Sequence, residues 1–311
     1  MIRVLIVCAG NRVETAEDFK VRRPFIYEQM QSLRPMGVDF EVFMVRGKGA
    51  IGYLSNTLRY WRILRSFKPD LVHAHYGFSG LFACLQWKVP VVVTFHGSDV
   101  NERQNRPISF VASRLASKSI FVNKSMPELL HICSPTVIPC GVDSDMFYPI
   151  DRQEARKALG LISDARYALF ASAFSKPIKN AELAFESVSL LDEPVEVIEL
   201  ADKTRAEVNL LLNAVDLLLL TSKSEGSPQI VKEAMLCNCP VVSVNVGDVL
   251  EVLNGVERCF VTKAQPTNIS EAMKLITKSP ARALGREKAL KYSLSNVATL
   301  VSEVYKEILA R

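Results

Sequence analysis

The chain has 311 residues, of which 49% are hydrophobic and 23% are charged, and its formal net charge is +5. This length exceeds the usual size of one core and the composition is that of a globular protein, so a disordered chain is excluded and two domains of about 150 residues are expected. No apolar run approaches the ~20 residues that span a bilayer, which argues against a membrane-spanning protein.

Short apolar segments alternate with helical segments along the whole chain, which is the pattern of doubly wound parallel sheets. In the first half the predicted strands are 4–7, 40–45, 71–74, 91–95, 119–122 and 137–138, and the predicted helices are 24–36, 54–67, 80–86, 108–116 and 126–132. In the second half the predicted strands are 167–171, 195–199, 215–220, 241–244 and 260–261, and the predicted helices are 181–191, 205–213, 228–236, 249–253, 269–278 and 282–309.

These elements predict an α/β protein of two Rossmann-like domains, 1–149 and 150–311, with the boundary near 147–150. Two similar halves of this kind form a cleft, and ligands bind preferentially in such clefts and at the carboxyl ends of strands. We therefore expect a ligand site in that place.

The positive charge lies in the first domain. Residues 1–150 contain 18 Lys and Arg against 12 Asp and Glu, whereas residues 151–311 contain 20 against 21. A positive face meets anionic lipid headgroups or a phosphorylated acceptor, or it is an ordinary lysine-rich surface. No nucleic-acid reading motif accompanies it, so nucleic acid is not an expected partner. The stretch 53–68 is either a basic membrane-surface helix or a helix that packs on the first sheet and leaves its arginines in water, and we expect the second.

Cysteine usage and the start of the chain both indicate a cytoplasmic protein. The seven cysteines lack paired CxxC spacings, which indicates reduced thiols, and we expect all seven to be packing residues. The first ten residues continue directly into the first predicted strand and do not read as a secretory signal.

The segment 221–233 is the most informative in the chain. It follows a predicted buried strand, and it places Ser227 as a helix N-cap and Pro228 at the first helical position. A helix N-terminus has a partial positive charge of roughly +0.5 and attracts phosphate. Glu225 and Glu233 flank this point, so one carboxylate can contact a polyol and the other a ribose diol, with a pyrophosphate between them. This is the outline of a nucleotide-sugar site.

The pattern Ser-Glu-Gly-Ser-Pro followed by Lys-Glu-Ala-Met, with its two glutamates and the strand at 239–243, resembles the donor-site signature of glycosyltransferase family 4. The resemblance implies the GT-B fold, in which the last helix commonly crosses back to the first domain; here it either crosses back or covers the second domain. It also implies retaining, metal-independent hexosyl transfer from a UDP- or GDP-linked sugar, without a cofactor. The implied acceptor is a polysaccharide, lipid-linked or small glycan, and the implied place is the cytoplasm, at the inner face of the membrane.

The resemblance assigns roles to individual residues. The family's phosphate-binding lysine corresponds to Lys179, whereas the position of its arginine, near Ala173, is uncharged, and Lys176 is the candidate replacement. The expected donor-binding set is Lys176, Lys179, Glu225, Gly226, Ser227, Pro228, Gln229, Ile230 and Glu233.

The first domain contributes the expected acceptor side. The segment 93–99 resembles the family's Thr-Phe-His-Gly segment and makes His96 a catalytic residue together with Glu225, with Asp99 holding the tautomer of His96 or contacting the acceptor. Gly10 and His75 are the other expected acceptor-side residues. Strand alternation puts His73 on the same face as His75, but no third ligand is evident, so no metal site is expected.

Two other classes of function remain open on the sequence. One is a non-catalytic partner subunit that binds a nucleotide sugar, which the missing arginine makes conceivable. The other is a different GT-B enzyme, such as a sugar-nucleotide epimerase.

Overall fold

The computed structural model describes residues 1–11, 15–279 and 281–310. They form two compact units, Met1–Gly141 with Leu294–Arg311, and Val142–Ser293. The segment 142–149, predicted to end the first domain, belongs to the second unit, because Phe147 is buried in its core and Arg286 donates hydrogen bonds to the backbone oxygens of Phe147 and Ser144. The end of the chain belongs to the first unit.

Each unit contains one parallel sheet. The first sheet has the order β2-β1-β3-β4-β5-β6 and the second has the order β11-β10-β9-β7-β8. All eleven predicted strands are present within these residues, with ends shifted by two residues or fewer. The strands are β1 (Ile2–Ala9), β2 (Val38–Val45), β3 (Leu71–His75), β4 (Val91–Phe95), β5 (Lys118–Phe121), β6 (Thr136–Val137), β7 (Tyr167–Phe170), β8 (Glu196–Glu199), β9 (Leu217–Leu220), β10 (Val241–Val244) and β11 (Cys259–Thr262).

Helices connect the strands as the parallel arrangement requires. The helices within Met1–Gly141 are α1 (Ala16–Arg22), α2 (Pro24–Leu33), α3 (Gly49–Leu54), α4 (Thr57–Phe67), α5 (Gly77–Ala83), α6 (Ser98–Asn101), α7 (Arg106–Leu115) and α8 (Ser125–Leu129). Those that follow are α9 (Arg152–Leu159), α10 (Ala181–Ser189), α11 (Arg205–Ala214), α12 (Gln229–Leu236), α13 (Val249–Leu253), α14 (Pro266–Thr277), α15 (Arg286–Ala289) and α16 (Leu294–Leu309).

The prediction of a single long helix at 282–309 is wrong. The chain forms α15, a 3-10 turn at Leu290–Tyr292, and then α16 after a break at Ser293. The break has a structural reason: Ser293 has an extended ψ of 151°, and Tyr292 accepts a backbone hydrogen bond from Val142. Four short helices, α1, α3, α6 and α9, were not predicted.

The first sheet is covered on both faces, which explains its nearly continuous apolar strands. Val4 and Ile6 of β1 point to the face covered by α2 and α16, whereas Leu5 and Val7 point to the opposite face, which α4 and α5 cover. The second sheet has two apolar clusters of the same kind, one on each face.

The basic stretch at 53–68 packs as expected. Its helix α4 buries Tyr60 and Leu64 against the first sheet, while Arg59, Arg62 and Arg65 are exposed. In the part of the chain that the structure describes, no helix has both the length and the apolar character needed to cross a membrane. None of the seven cysteines is in a disulfide, and Cys133 is exposed, so the prediction that all seven are packing residues is wrong for that one.

Candidate functional site

The donor-binding residues predicted in the second unit lie at one edge of its sheet, on the loops after β7 and β9 and in helix α12. Strands β7, β9 and β10 are neighbours and run parallel, so the loops that follow them lie next to one another at their carboxyl ends. This edge is where open α/β sheets bind ligands. The loop after β7 contains Lys176 and Lys179, and the loop after β9 contains Glu225 and leads into α12.

The start of α12 differs in detail from the prediction. The helix begins at Gln229 with Pro228 in the N-cap position, and no side-chain hydrogen bond caps it within the described residues. Ser227 does not act as the N-cap, because its hydroxyl donates to Oδ2 of Asp248 at 2.7 Å. The first turn contains no acidic residue. This helix end therefore retains the positive partial charge that favours an anion.

A buried ammonium group lies beneath the same turn. Lys232 of α12 is fully buried, and its Nζ donates to Oδ2 of Asp248 at 2.8 Å and to the hydroxyl of Ser227. Its Nζ also lies 5.1 Å from the ring centroid of Tyr292. Asp248 is at the N-cap position of the next helix, α13, but its side chain makes no cap there, because the carboxylate is committed to Lys232. Sequence reasoning assigned no role to Lys232, although a lysine amid the apolar residues of α12 was a visible signal.

The loop after β10 packs closely against the loop after β9. Gly247 has φ +58°, and a Cβ at that position would lie 2.4 Å from the backbone oxygen of Gly226. Only glycine meets both conditions without strain. Gly247 therefore allows the donor loop and its neighbour to touch through their backbones.

The structure brings Lys179 and Glu225 together. The Nζ of Lys179 donates to Oε1 of Glu225 at 2.6 Å, and both side chains are largely buried. The two loops are also joined by the side chain of Thr221, whose hydroxyl donates to the backbone oxygens of Lys179 and Asn180. Asn180 adopts the left-handed conformation, φ 58°, which asparagine tolerates. Two predicted donor residues from different loops thus form one charged pair.

Glu233 pairs with an arginine that the sequence analysis did not identify. Glu233 is almost fully buried, and Nη1 of Arg205 donates to its Oε1 at 2.7 Å. Burial raises the pKa of Glu233, and the Arg205 guanidinium opposes that rise. Arg205 is the first residue of α11, which follows β8, and its guanidinium carbon lies 4.6 Å from the ring centroid of Phe147. A buried carboxylate of this kind needs such a partner.

The remaining predicted donor residues have simple environments. Lys176 is exposed and immediately precedes the 3-10 turn Pro177–Lys179, while Gln229 and Ile230 in the first turn of α12 are half-buried. Ala173, at the position of the family's arginine, is half-buried, and no guanidinium is contributed by this loop. The guanidinium that pairs with Glu233 comes from another element, helix α11, through Arg205.

In the first unit, the predicted histidines form a row at the carboxyl ends of β3 and β4. The ring centroids of His73 and His75 are 4.5 Å apart, those of His75 and His96 are 5.2 Å apart, and the His75 Nδ1 and His96 Nε2 atoms are 2.9 Å apart. His73 and His75 are fully buried, whereas His96 is half-buried and packs on Phe25. The expected shared face of His73 and His75 is confirmed.

Asp99 does not hold the ring of His96. Its carboxylate accepts backbone hydrogen bonds from His96, Gly97 and Gly77 at 2.8 to 3.3 Å, and no bond to the imidazole is present among the described residues. Burial raises the pKa of Asp99 to about 6, and the backbone N–H groups act in the opposite direction. Asp99 therefore shapes the loop that presents His96, and the prediction that it sets the tautomer is wrong.

Gly10 lies just past β1 for a packing reason. A Cβ there would lie 2.4 Å from Cβ of Met44 on the adjacent strand β2. In residues 1–11, 15–279 and 281–310, no cluster of three or more His, Cys, Asp or Glu side chains is placed to hold a metal ion. Both ring nitrogens of His73 are already hydrogen-bonded, to the hydroxyls of Tyr305 and Thr94.

Comparison with known proteins gives two family matches. The model for "Glycosyltransferase Family 4" matches residues 3–146, and that for "Glycosyl transferases group 1" matches residues 175–279. The chain belongs to glycosyltransferase family 4. One curated relative, the teichuronic acid biosynthesis glycosyltransferase TuaC of Bacillus subtilis, is 28% identical over 67% of this chain and 61% of its own length. Another, the D-inositol 3-phosphate glycosyltransferase of Thermobispora bispora, is 25% identical over 83% of this chain and 75% of its own length.

Solved structures of low sequence identity share the fold. The sucrose-phosphate synthase of Thermosynechococcus elongatus superposes with a TM-score of 0.84 at 15% identity, over all of both chains. HepE of Anabaena, solved with UDP and glucose, superposes with a TM-score of 0.72 at 16% identity, over 99% of this chain and 100% of its own. The predicted GT-B fold is thereby confirmed.

The buried histidines predict a dependence of stability on pH. Burial lowers the pKa of His73 to about 3, from the ordinary histidine value of 6.5. Below about pH 6.5 the unfolded chain therefore binds a proton at His73 that the folded chain does not bind. As the pH is lowered from roughly 6 to 4, the free energy of unfolding falls by about 1.4 kcal/mol per pH unit because of this residue.

His73→Gln should remove the contribution of His73 to that slope, because glutamine does not titrate. Denaturant unfolding at pH 7, 6, 5 and 4 measures the difference between the variant and wild type. Thr94→Val is the matched control, since it removes a hydrogen-bond partner of His73 but keeps the imidazole and should leave the slope in place. Parallel curves for wild type and His73→Gln would contradict the prediction.

Proposed function

We propose that this chain transfers a sugar from a nucleoside-diphosphate-sugar donor to a hydroxyl acceptor, with retention of anomeric configuration and without a metal ion. The observation that supports the proposal most directly is the pairing of each signature carboxylate with a cation from another element of the same unit. Glu225 pairs with Lys179 and Glu233 with Arg205, at the carboxyl edge of a parallel sheet. An uncapped helix start lies in the same loop as Glu225.

The donor diphosphate binds at the first turn of α12 in this proposal. The helix end attracts the anion, and the lysines Lys179 and Lys176 add positive charge from the loop after β7. When the diphosphate arrives, Lys179 exchanges Glu225 for a phosphate oxygen. Glu225 is then released to accept hydrogen bonds from hydroxyls of the donor sugar.

The ribose diol binds Glu233. A carboxylate accepts two hydroxyl hydrogen bonds only when it is ionised, and burial disfavours that form. The Arg205 guanidinium restores it, because it occupies Oε1 and compensates the charge. Arg205 is thus the cation that keeps Glu233 competent for ribose.

The reaction breaks the bond between the anomeric carbon and the diphosphate oxygen, and forms the bond from that carbon to the acceptor oxygen on the same face. The acceptor proton passes to the departing diphosphate oxygen, so the protein supplies positioning and stabilisation of the negative charge. We assign His96 to the sugar at the anomeric carbon and Gly10 to the acceptor side. His75, predicted on the acceptor side, is fully buried and cannot contact an acceptor.

The names of related proteins support a glycan product. TuaC is named for teichuronic acid biosynthesis, and the HepE structures contain UDP with glucose or UDP-glucose. We propose a UDP- or GDP-linked donor for this chain and a polysaccharide, lipid-linked or small glycan acceptor.

Retention is tested by the configuration of the first product. Proton NMR of the anomeric signal during the first turnovers, with UDP-glucose and GDP-mannose as α-linked donors, should show an α-linked glycoside. Excess EDTA should leave the rate unchanged. A β-linked first product contradicts retention, an epimerised donor indicates the epimerase class, and donor binding without turnover with any acceptor indicates the partner-subunit class.

Removal of either charged pair should weaken nucleotide binding. Lys179→Met removes a phosphate contact and Glu233→Gln removes the charge that receives the ribose diol, so each should raise the Kd for UDP or GDP about 10- to 100-fold. Lys278→Met, a lysine on the same unit outside these loops, is the matched control. Isothermal titration measures the three affinities. Wild-type affinity in both site variants would contradict the assignment.

We further propose that the chain acts in the cytoplasm at the inner face of the membrane. Ile51 and Leu54 of α3 and Leu58 of α4 are exposed, and the same segment exposes Lys48 and Arg62. Apolar side chains together with basic ones bind anionic lipid surfaces. The chain should sediment with vesicles that contain anionic lipid, and Ile51→Ser with Leu58→Ser should reduce this binding. Equal binding to neutral vesicles would contradict the electrostatic part.

A further inference from the structure

The hydrogen bond between His75 and His96 is more than a packing contact. Nδ1 of His75 lies 2.9 Å from Nε2 of His96, and the two rings are nearly parallel at 27°. His75 is fully buried, and its other nitrogen, Nε2, is also buried and has no hydrogen-bond partner among the described residues. A buried imidazole with one partner restricts where its proton can be.

The strand register produces this contact. His75 pairs with Thr94 between β3 and β4, so His96, two residues after Thr94, follows on the same face of the sheet. Phe25 of α2 packs edge-on against His75 at 6.5 Å and lies 4.8 Å from His96. The backbone N–H of His96 is bound by Asp99. Neighbouring groups thus fix the positions of both imidazoles independently of the contact between the two rings.

Both rings are neutral. Burial lowers the pKa of His75 well below its ordinary value, and the neighbouring rings of His73 and His96 lower it further. Burial also lowers the pKa of His96 to about 3, and His73 and Arg23 add to that effect. A neutral imidazole has one N–H donor and one lone pair, so one of the two facing nitrogens donates and the other accepts.

The buried Nε2 of His75 distinguishes the two arrangements. If His96 donated from Nε2, the proton of His75 would be on its own Nε2, as a buried N–H without an acceptor. If His75 donates from Nδ1, its Nε2 has only a lone pair. Orphaned buried N–H groups are rarer than under-satisfied acceptors in native structures. The second arrangement is therefore the more stable one.

We propose that His75 is a positioning residue: its Nδ1–H donates to Nε2 of His96 and fixes His96 in the tautomer with its proton on Nδ1. The proposal rests on the proposed function only for the consequence that it has in catalysis. Nε2 of His96 is then occupied, and Nδ1 of His96 presents an N–H. His96 acts as a hydrogen-bond donor to a substrate oxygen and does not act as a general base.

This division of roles agrees with the proposed chemistry. In that reaction the departing diphosphate takes the acceptor proton, so the protein needs no base at His96. A neutral N–H donor at a fixed angle stabilises developing negative charge without a change in protonation. His75 keeps that donor in place over the working pH range, since neither ring gains a proton there.

The tautomers of the histidines can be measured on the free protein, without catalytic turnover. The chain has four histidines, so a long-range 1H–15N correlation spectrum of histidine-labelled protein at pH 7 shows four rings, which single substitutions assign. The expected spectrum has a protonated Nδ1 and an unprotonated Nε2 for both His75 and His96. A protonated Nε2 on His96 overturns the proposal.

Two substitutions at position 75 test the mechanism. In His75→Asn the amide nitrogen is as many bonds from the backbone as Nδ1 and can still donate, so His96 should keep its tautomer and kcat should stay within about threefold of wild type. In His75→Leu the donor is lost, so the proton of His96 should redistribute between its nitrogens and kcat should fall about tenfold with the donor KM unchanged. His131→Asn, at an exposed histidine, is the matched control.

The outcomes separate this inference from the proposed function. If wild type transfers no sugar, the proposed function fails while the tautomer measurement still decides the inference. If transfer occurs but His75→Asn shifts the proton of His96 to Nε2, or lowers kcat as much as His75→Leu does, the positioning role is wrong. Should His75→Leu not fold, the wild-type spectrum and His75→Asn still give the answer.

Discussion

The buried ammonium of Lys232 is the interaction on which the donor edge of the second unit depends. It lies beneath the turn before α12, where it binds Asp248 from the loop after β10 and Ser227 from the loop after β9. A buried charge is costly unless it is paired, and removal of one partner of a buried pair typically costs about 3–5 kcal/mol. Because the pair joins two loops, this cost maintains a particular loop geometry as well as the fold. The contact of Gly247 with Gly226 is possible only while those loops stay together.

The two signature carboxylates differ in what their partners do. Glu225 and Lys179 come from adjacent loops, and their side chains are 14% and 22% exposed, so water and a ligand can reach the pair. Glu233 is only 3% exposed in its side chain, and its partner Arg205 also packs on Phe147. The first pair can open at moderate cost when an anion replaces the carboxylate. The second is a fixed support, because its guanidinium is held by a ring as well as by the charge.

Strands and the family signature could be predicted from the sequence because they depend on local pattern. Strands buried on both faces give continuous apolar runs, and all eleven were found within two residues. The missed helix α1 had a visible signal, since Thr15 and Asp18 form a capping box. The N-cap role of Ser227 could not be excluded from the sequence, because its hydroxyl is taken by Asp248, 21 residues further along the chain. Arg205 was equally hidden, since nothing near position 205 reveals that Glu233 lies beside it.

The donor-site carboxylates and the histidine row satisfy their buried polar groups by different means. The donor-site carboxylates of the second unit are held in ion pairs. The histidine row of the first unit is held by neutral groups, with His73 between the hydroxyls of Tyr305 and Thr94, and His75 paired with His96. Salt screens an ion pair that is partly exposed, as Lys179 with Glu225 is, but it has little effect on hydrogen bonds between neutral buried groups. Acid destabilises the histidines of the first unit, whose pKa values burial has lowered, and it also neutralises Glu233 of the second unit, whose pKa burial has raised. Ionic strength therefore acts chiefly on the partly exposed pair of Lys179 with Glu225, whereas pH acts on buried groups of both units.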